Sequence, residues 1–175
     1  MSRQFWVEAL AWATADGVAV ANTTTETIIM PDVSIPANYM QDGRNLRLKV
    51  QGKHSTTGTP TLTFRLRWGG VSGTVIALSP AFTTGTGVTN NLFEIELNIQ
   101  TRANGSSGTL LVVGSATVNG ATVPVQAMCV GGASAPASTT VDLTTATNLS
   151  ITAQWGTQSP SNTLTGVTYL LESLN

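Results

Sequence analysis

The sequence predicts an all-β chain, an antiparallel β-sandwich folded as a jelly roll of about eight or more strands. Three observations carry that expectation. Apolar and polar residues alternate along most of the chain, turn signals separate the alternating runs, and helical periodicity is nearly absent. Strands that follow one another without intervening helices pair antiparallel and close on a second layer.

Composition agrees. The 175 residues are enough for one domain with its own core and too few for two comfortable ones. Charged residues make up only 10% of the chain while apolar ones reach an ordinary 41%. Thr, Ser, Asn and Gly stand where charges would be. Threonine's branched Cβ suits a pleated surface, and Gly and Asn suit the turns between strands.

The elements follow in chain order. Residues 5–13 read as an edge strand with poor alternation, so 1–12 is set apart as an amino-terminal arm or edge strand and 13–175 as a single sandwich domain. A strand is expected over 27–33. In 45–51 the apolar set is Leu46, Leu48 and Val50, with Arg47 and Lys49 between them. In 61–68 it is Leu62, Phe64, Leu66 and Trp68, with Arg65 and Arg67 between. Further strands are expected at 74–78, 93–99, 109–117, 121–129, 148–155 and 167–174. Asp16-Gly17, Asp42-Gly43, Gly69-Gly70, Asn104-Gly105 and Asn119-Gly120 supply turns, the last being the strongest hairpin signal. The stretch 131–138, rich in Ala, Gly and Ser, reads as a long surface loop.

Several functions are disfavoured. A net charge of −1 and a pI of about 5.7 give no overall attraction to nucleic acid. A lone Cys129 cannot close an internal disulfide. No apolar stretch reaches the roughly 18 residues of a helical membrane span, and no secretory leader is visible, so production in a cytoplasm is expected.

Reactive groups do not converge in the sequence. His54, the single histidine, sits in Gly52-Lys53-His54-Ser55-Thr56-Thr57-Gly58 and is expected to be an exposed loop residue. No Gly-x-Ser-x-Gly elbow and no phosphate-binding Gly-Lys-Ser/Thr occur. One His and one Cys make a poor zinc set, and the aspartates are scattered singly. Glu94 and Glu96 would lie about 6.5–7 Å apart on one strand face, where they face each other poorly across a glycoside. No catalytic, metal or cofactor site is expected, and the chain is read as no enzyme. Arg47, Lys49, Arg65 and Arg67 are expected to pair with Glu94 and Glu96 in a cross-strand ladder. An anionic ligand held by these cations is the alternative.

Trp68 and Trp155 end alternating apolar runs and belong in the core. Arg3, Phe5, Trp6 and Trp12 form the candidate protein-protein contact set, as an apolar arm that packs on its own domain or on a neighbour. If the chain binds sugar, Trp6, Trp12 and Tyr39 are the aromatic candidates.

Finally, residues 8–12 (EALAW) through Asp16-Gly17, 19–29 (AVANTTTETII), 36–44 (PANYMQDGR), 55–70 (STTGTPTLTFRLRWGG), 162–166 (NTLTG) and 169–172 (YLLE) form a distinctive set. Together they resemble small structural proteins encoded in the head or tail modules of tailed-bacteriophage and prophage genomes. The resemblance implies a virion protein. Its leading form is a capsid decoration, or cement, protein on the capsid surface that stabilises the shell through contacts with the major capsid protein, commonly as a homotrimer. The alternative is a minor tail or receptor-binding module that recognises a carbohydrate. The motifs mark folding features and assign no active site.

Overall fold

A computed structural model describes residues 7–130 and 135–175. Among the described residues fourteen strands form two sheets, with every pairing antiparallel. Strands are numbered in chain order. The larger sheet runs β1 (Glu8–Trp12), β14 (Thr163–Ser173), β5 (Asn45–Thr56), β9 (Val88–Ala103), β10 (Gly108–Val118) and β11 (Val125–Cys129). Short strands β2 (Val20–Ala21) and β12 (Thr139–Val141) add to β14 and β10. The smaller sheet runs β3 (Thr27–Ile28), β13 (Thr147–Trp155), β6 (Thr61–Trp68) and β7 (Thr74–Leu78). There β4 (Val33–Ile35) adds to β13 and β8 (Phe82–Thr83) to β6. This is the expected antiparallel sandwich of jelly-roll type.

The alternating residues fill the space between the sheets. Leu46, Leu48 and Val50 join Phe93, Ile95, Leu97 and Ile99 from the larger sheet. Leu62, Phe64, Leu66, Ile151, Ala153 and Trp155 oppose them from the smaller one. Phe64 lies at the centre. Its ring stacks on Phe93 with centroids 5.3 Å apart and meets Phe82 edge-on at 6.1 Å. Gly52 makes room for that stack, because a Cβ there would come within 2.4 Å of Phe93 Cε1. Both core tryptophans satisfy their indole N–H, Trp68 to Asp142 O and Trp155 to Val20 O.

Three expectations are corrected. The run 27–33 is two strands rather than one, and both pair with β13. Pro31, which has no N–H to give a ladder, stands in the break. The Asn119-Gly120 hairpin with a strand from 121 is replaced by a longer connection, and β11 starts only at Val125. Ala121 instead bridges Thr84, and Thr122 N–H donates to Thr83 O, tying this tip to the smaller sheet.

His54 is the third correction. β5 runs on to Thr56, so the inward alternation continues through His54, which is 1% exposed rather than in an open loop. Its Nδ1 lies 3.1 Å from Asn91 O and therefore carries the proton that it donates there. Burial lowers its pKa, and the Asn91 hydrogen bond only partly opposes this. The folded pKa lies below the unfolded one, so the unfolded chain takes the proton more readily. Stability is complete above the ordinary value of 6.5 and declines as pH falls through it. Urea unfolding between pH 7 and 5 should show a midpoint that drops with pH in the parent and less steeply in His54→Gln. Equal slopes would contradict the buried neutral ring.

Candidate functional site

The anion-binding alternative depends on the charged faces of the two sheets. Arg65 and Arg67 point outward from β6, on the smaller sheet, and so cannot ladder with Glu94 and Glu96 on the larger one. Their partner is Glu26, an acid far from them in the chain and outside any alternating run. Arg67 holds both carboxylate oxygens, donating from Nε at 2.5 Å and Nη2 at 2.7 Å. Arg65 Nη1 adds 3.2 Å, and Thr152 Oγ1 donates at 2.5 Å. Burial by itself would raise the Glu26 pKa, but the bonds from Arg67 and Thr152 and the Arg65 charge bring it below the ordinary value. Arg67 is raised correspondingly, first by its bond to Glu26.

On the larger sheet the expected ladder is present in part. Lys49 reaches Glu94 at 3.7 Å and sits in register with Glu96. Arg47 pairs instead with Glu172 of β14 at 2.6 Å. The four cations proposed for an anion are therefore held by carboxylates.

A groove lies elsewhere, along the edge where β1 of the larger sheet faces residues 28–33 of the smaller. One hollow of about 290 Å³ is lined by Leu10, Ala11, Trp12, Asp32, Val33 and Tyr169, with Pro31 at its border. A second hollow of about 320 Å³ also borders Pro31 and is lined by Val18, Ile28, Ile29, Met30, Asp16 and Gly17. Backbone bonds fix this edge: Ala13 N–H donates to Tyr169 O, Gly17 N–H to Gly166 O, and Ile29 N–H to Ile151 O.

Three side chains give the groove its chemistry. Trp12 is 64% exposed, unlike the two core tryptophans. Asp32 is oriented by neutral donors on β13: Ser150 Oγ donates to Oδ1 at 2.5 Å and Asn148 Nδ2 to Oδ2 at 3.3 Å. Tyr169 is buried, and desolvation followed by the nearby Asp32 charge pushes its pKa far up, so its phenol keeps its proton. All three residues border this hollow, with Trp12 in register with the outward-facing Leu170 of β14 and Tyr169 turned into the core.

Of the sequence candidates, Trp12 is in this groove, while Arg3, Phe5 and Trp6 lie outside the described residues. Tyr39 is elsewhere, half-buried with the Arg44 guanidinium 4.6 Å from its ring centroid. Asp32 and Tyr169 were missed. Tyr169 reads as one more strand residue and Asp32 as one more isolated aspartate, and only the facing of two sheet edges unites them. Among the described residues no group of three or more His, Cys, Asp or Glu is placed to hold a metal.

The fold and the groove define a two-sheet β-sandwich whose open edge offers an aromatic, acidic and apolar cleft. No family model matches the chain, and no curated protein matches it. A solved structure of the CBM2 module of Lactobacillus casei BL23 phage J-1 evolved Dit aligns over 99% of each chain at 9% identity and a TM-score of 0.37. That superposition is too loose to carry any residue's role across.

Proposed function

We propose that this chain is a structural binding module of a tailed-phage particle and that its edge groove holds carbohydrate. The motif set described above supports the particle. The observation that carries the ligand is Trp12, an indole left mostly exposed at the border of a hollow that an oriented carboxylate and a tyrosine also line. Sugars present C–H faces that pack on an indole and hydroxyls that donate to carboxylates, and a few placed polar groups on an apolar surface are the usual recipe for such a site. Trp12→Ala should reduce binding to a responsive oligosaccharide at least about tenfold, since losing the aromatic platform removes a typical anchor contribution. Titration calorimetry on the full chain checks this, with circular dichroism confirming that the sandwich is intact. Unchanged affinity in the variant would remove the groove from the reading.

The capsid-decoration reading has its own observation. Leu92 and Val125 stand 47% and 58% exposed on the outer face of the larger sheet, with Val123 at 57% in the adjoining connection. A shell or a neighbouring copy could cover them. Light scattering at micromolar concentration tests that form: a homotrimer would have three times the 18.2 kDa chain mass. A clean monomer would count against it.

A further inference from the structure

Resting on the carbohydrate reading, we infer that the groove takes an uncharged, extended oligosaccharide segment and discriminates against anionic glycans and single sugars. The preferred length follows from the lining. The hollow at Trp12 and the hollow at Val18 both border Pro31, so they are neighbours on one edge of the sandwich. A chain of sugars laid along that edge meets Trp12 and Asp32 at one hollow and the apolar side chains of Val18 and Ile28 at the other. A single sugar fills only one of them.

The preference for uncharged sugars follows from the groups around these hollows. Among the described residues their lining includes two carboxylates, Asp32 and Asp16, and no lysine or arginine. The hydrogen bonds to Asp32 come from the neutral Ser150 and Asn148, which leave its charge in place. Asp16 faces Lys53 at 3.7 Å, but both side chains are about half exposed and solvent weakens that pair. Arg65 and Arg67 sit on the same sheet face as Ser150, one strand away, yet both are engaged by Glu26. A carboxylate or phosphate brought within a few ångströms of Asp32 is repelled, whereas hydroxyls can donate to its remaining lone pairs.

The test is an array of uncharged, carboxylated and phosphorylated oligosaccharides of one to six units, probed with the full chain and followed by calorimetry on the hits. The expected hits are uncharged chains of three or more units. Affinity should rise with length, and carboxylated counterparts should bind at least about tenfold more weakly. Asp32→Asn should narrow that gap. If this variant does not fold, added salt should narrow it in the parent, because screening weakens the repulsion. Anionic oligomers that bind as tightly as uncharged ones, or a monosaccharide that binds as tightly as a hexamer, would overturn this inference and leave the carbohydrate reading standing. An array with no hits of any class would overturn the carbohydrate reading itself, and this inference with it.

Discussion

Phe64→Ala is expected to lower the unfolding free energy by about 3–5 kcal/mol, the range for truncating a fully buried aromatic. Phe64 has no exposed surface and touches rings from two other strands, stacking on Phe93 of β9 and meeting Phe82 of β8 edge-on. The first contact joins the two sheets and the second holds a short strand to the smaller one. Neighbouring backbone belongs to long hydrogen-bonded ladders and cannot collapse into the space left, so the cavity cost adds to the lost burial. For a chain of this size such a loss corresponds to a fall in melting temperature of roughly 10 °C. Phe64→Leu should recover much of it, and scanning calorimetry would show the order parent, leucine, alanine. A Phe64→Ala variant that melts with the parent would mean that the sheets are not packed through this ring.

Glu26→Ala should be the costliest change on the surface, at about 2–4 kcal/mol. Most exposed ion pairs contribute little. Here the Glu26 side chain is only 15% exposed and those of Arg65 and Arg67 21% and 16%, so removing the carboxylate leaves two poorly solvated cations two residues apart on β6. The cluster should also leave a mark on acid unfolding. The folded pKa of Glu26 is below its unfolded value, so its stabilisation is present above the ordinary 4.5 and is lost as pH falls through the folded value. Urea midpoints of the parent and Glu26→Gln should differ at pH 7 and converge by about pH 3. A gap of the same size at both would contradict a charged Glu26 as its source. This window lies below that of His54, and the two variants separate them.

Why the sandwich was legible and the groove was not follows from the kind of information each needs. Period-two alternation reports which face of a strand is dry, so residues 61–68 and 74–78 were located to the residue. His54 was misplaced because glycine and lysine before it and serine and threonine after it look like a turn. Glycine there serves another purpose, clearing space for Phe93. Charge pairing failed for a related reason. Alternation says that Arg65 and Arg67 face away from the core, but not which sheet they are on or which distant loop brings an acid to them. Trp12 was recognised as a candidate aromatic because no alternating series claimed it. Asp32 and Tyr169, 137 positions apart in the chain, meet it only because β1 and β14 border one sheet edge and β3 and β4 the other.

The most direct measurement is an amide and indole chemical-shift titration of the full chain with an uncharged hexasaccharide selected from the array. Binding in the groove should move the Trp12 indole N–H, together with amides of Leu10, Val33 and Tyr169, while the indoles of Trp68 and Trp155 stay fixed on their backbone carbonyls. Shifts concentrated away from this edge, or saturable binding that leaves Trp12 unmoved, would contradict it.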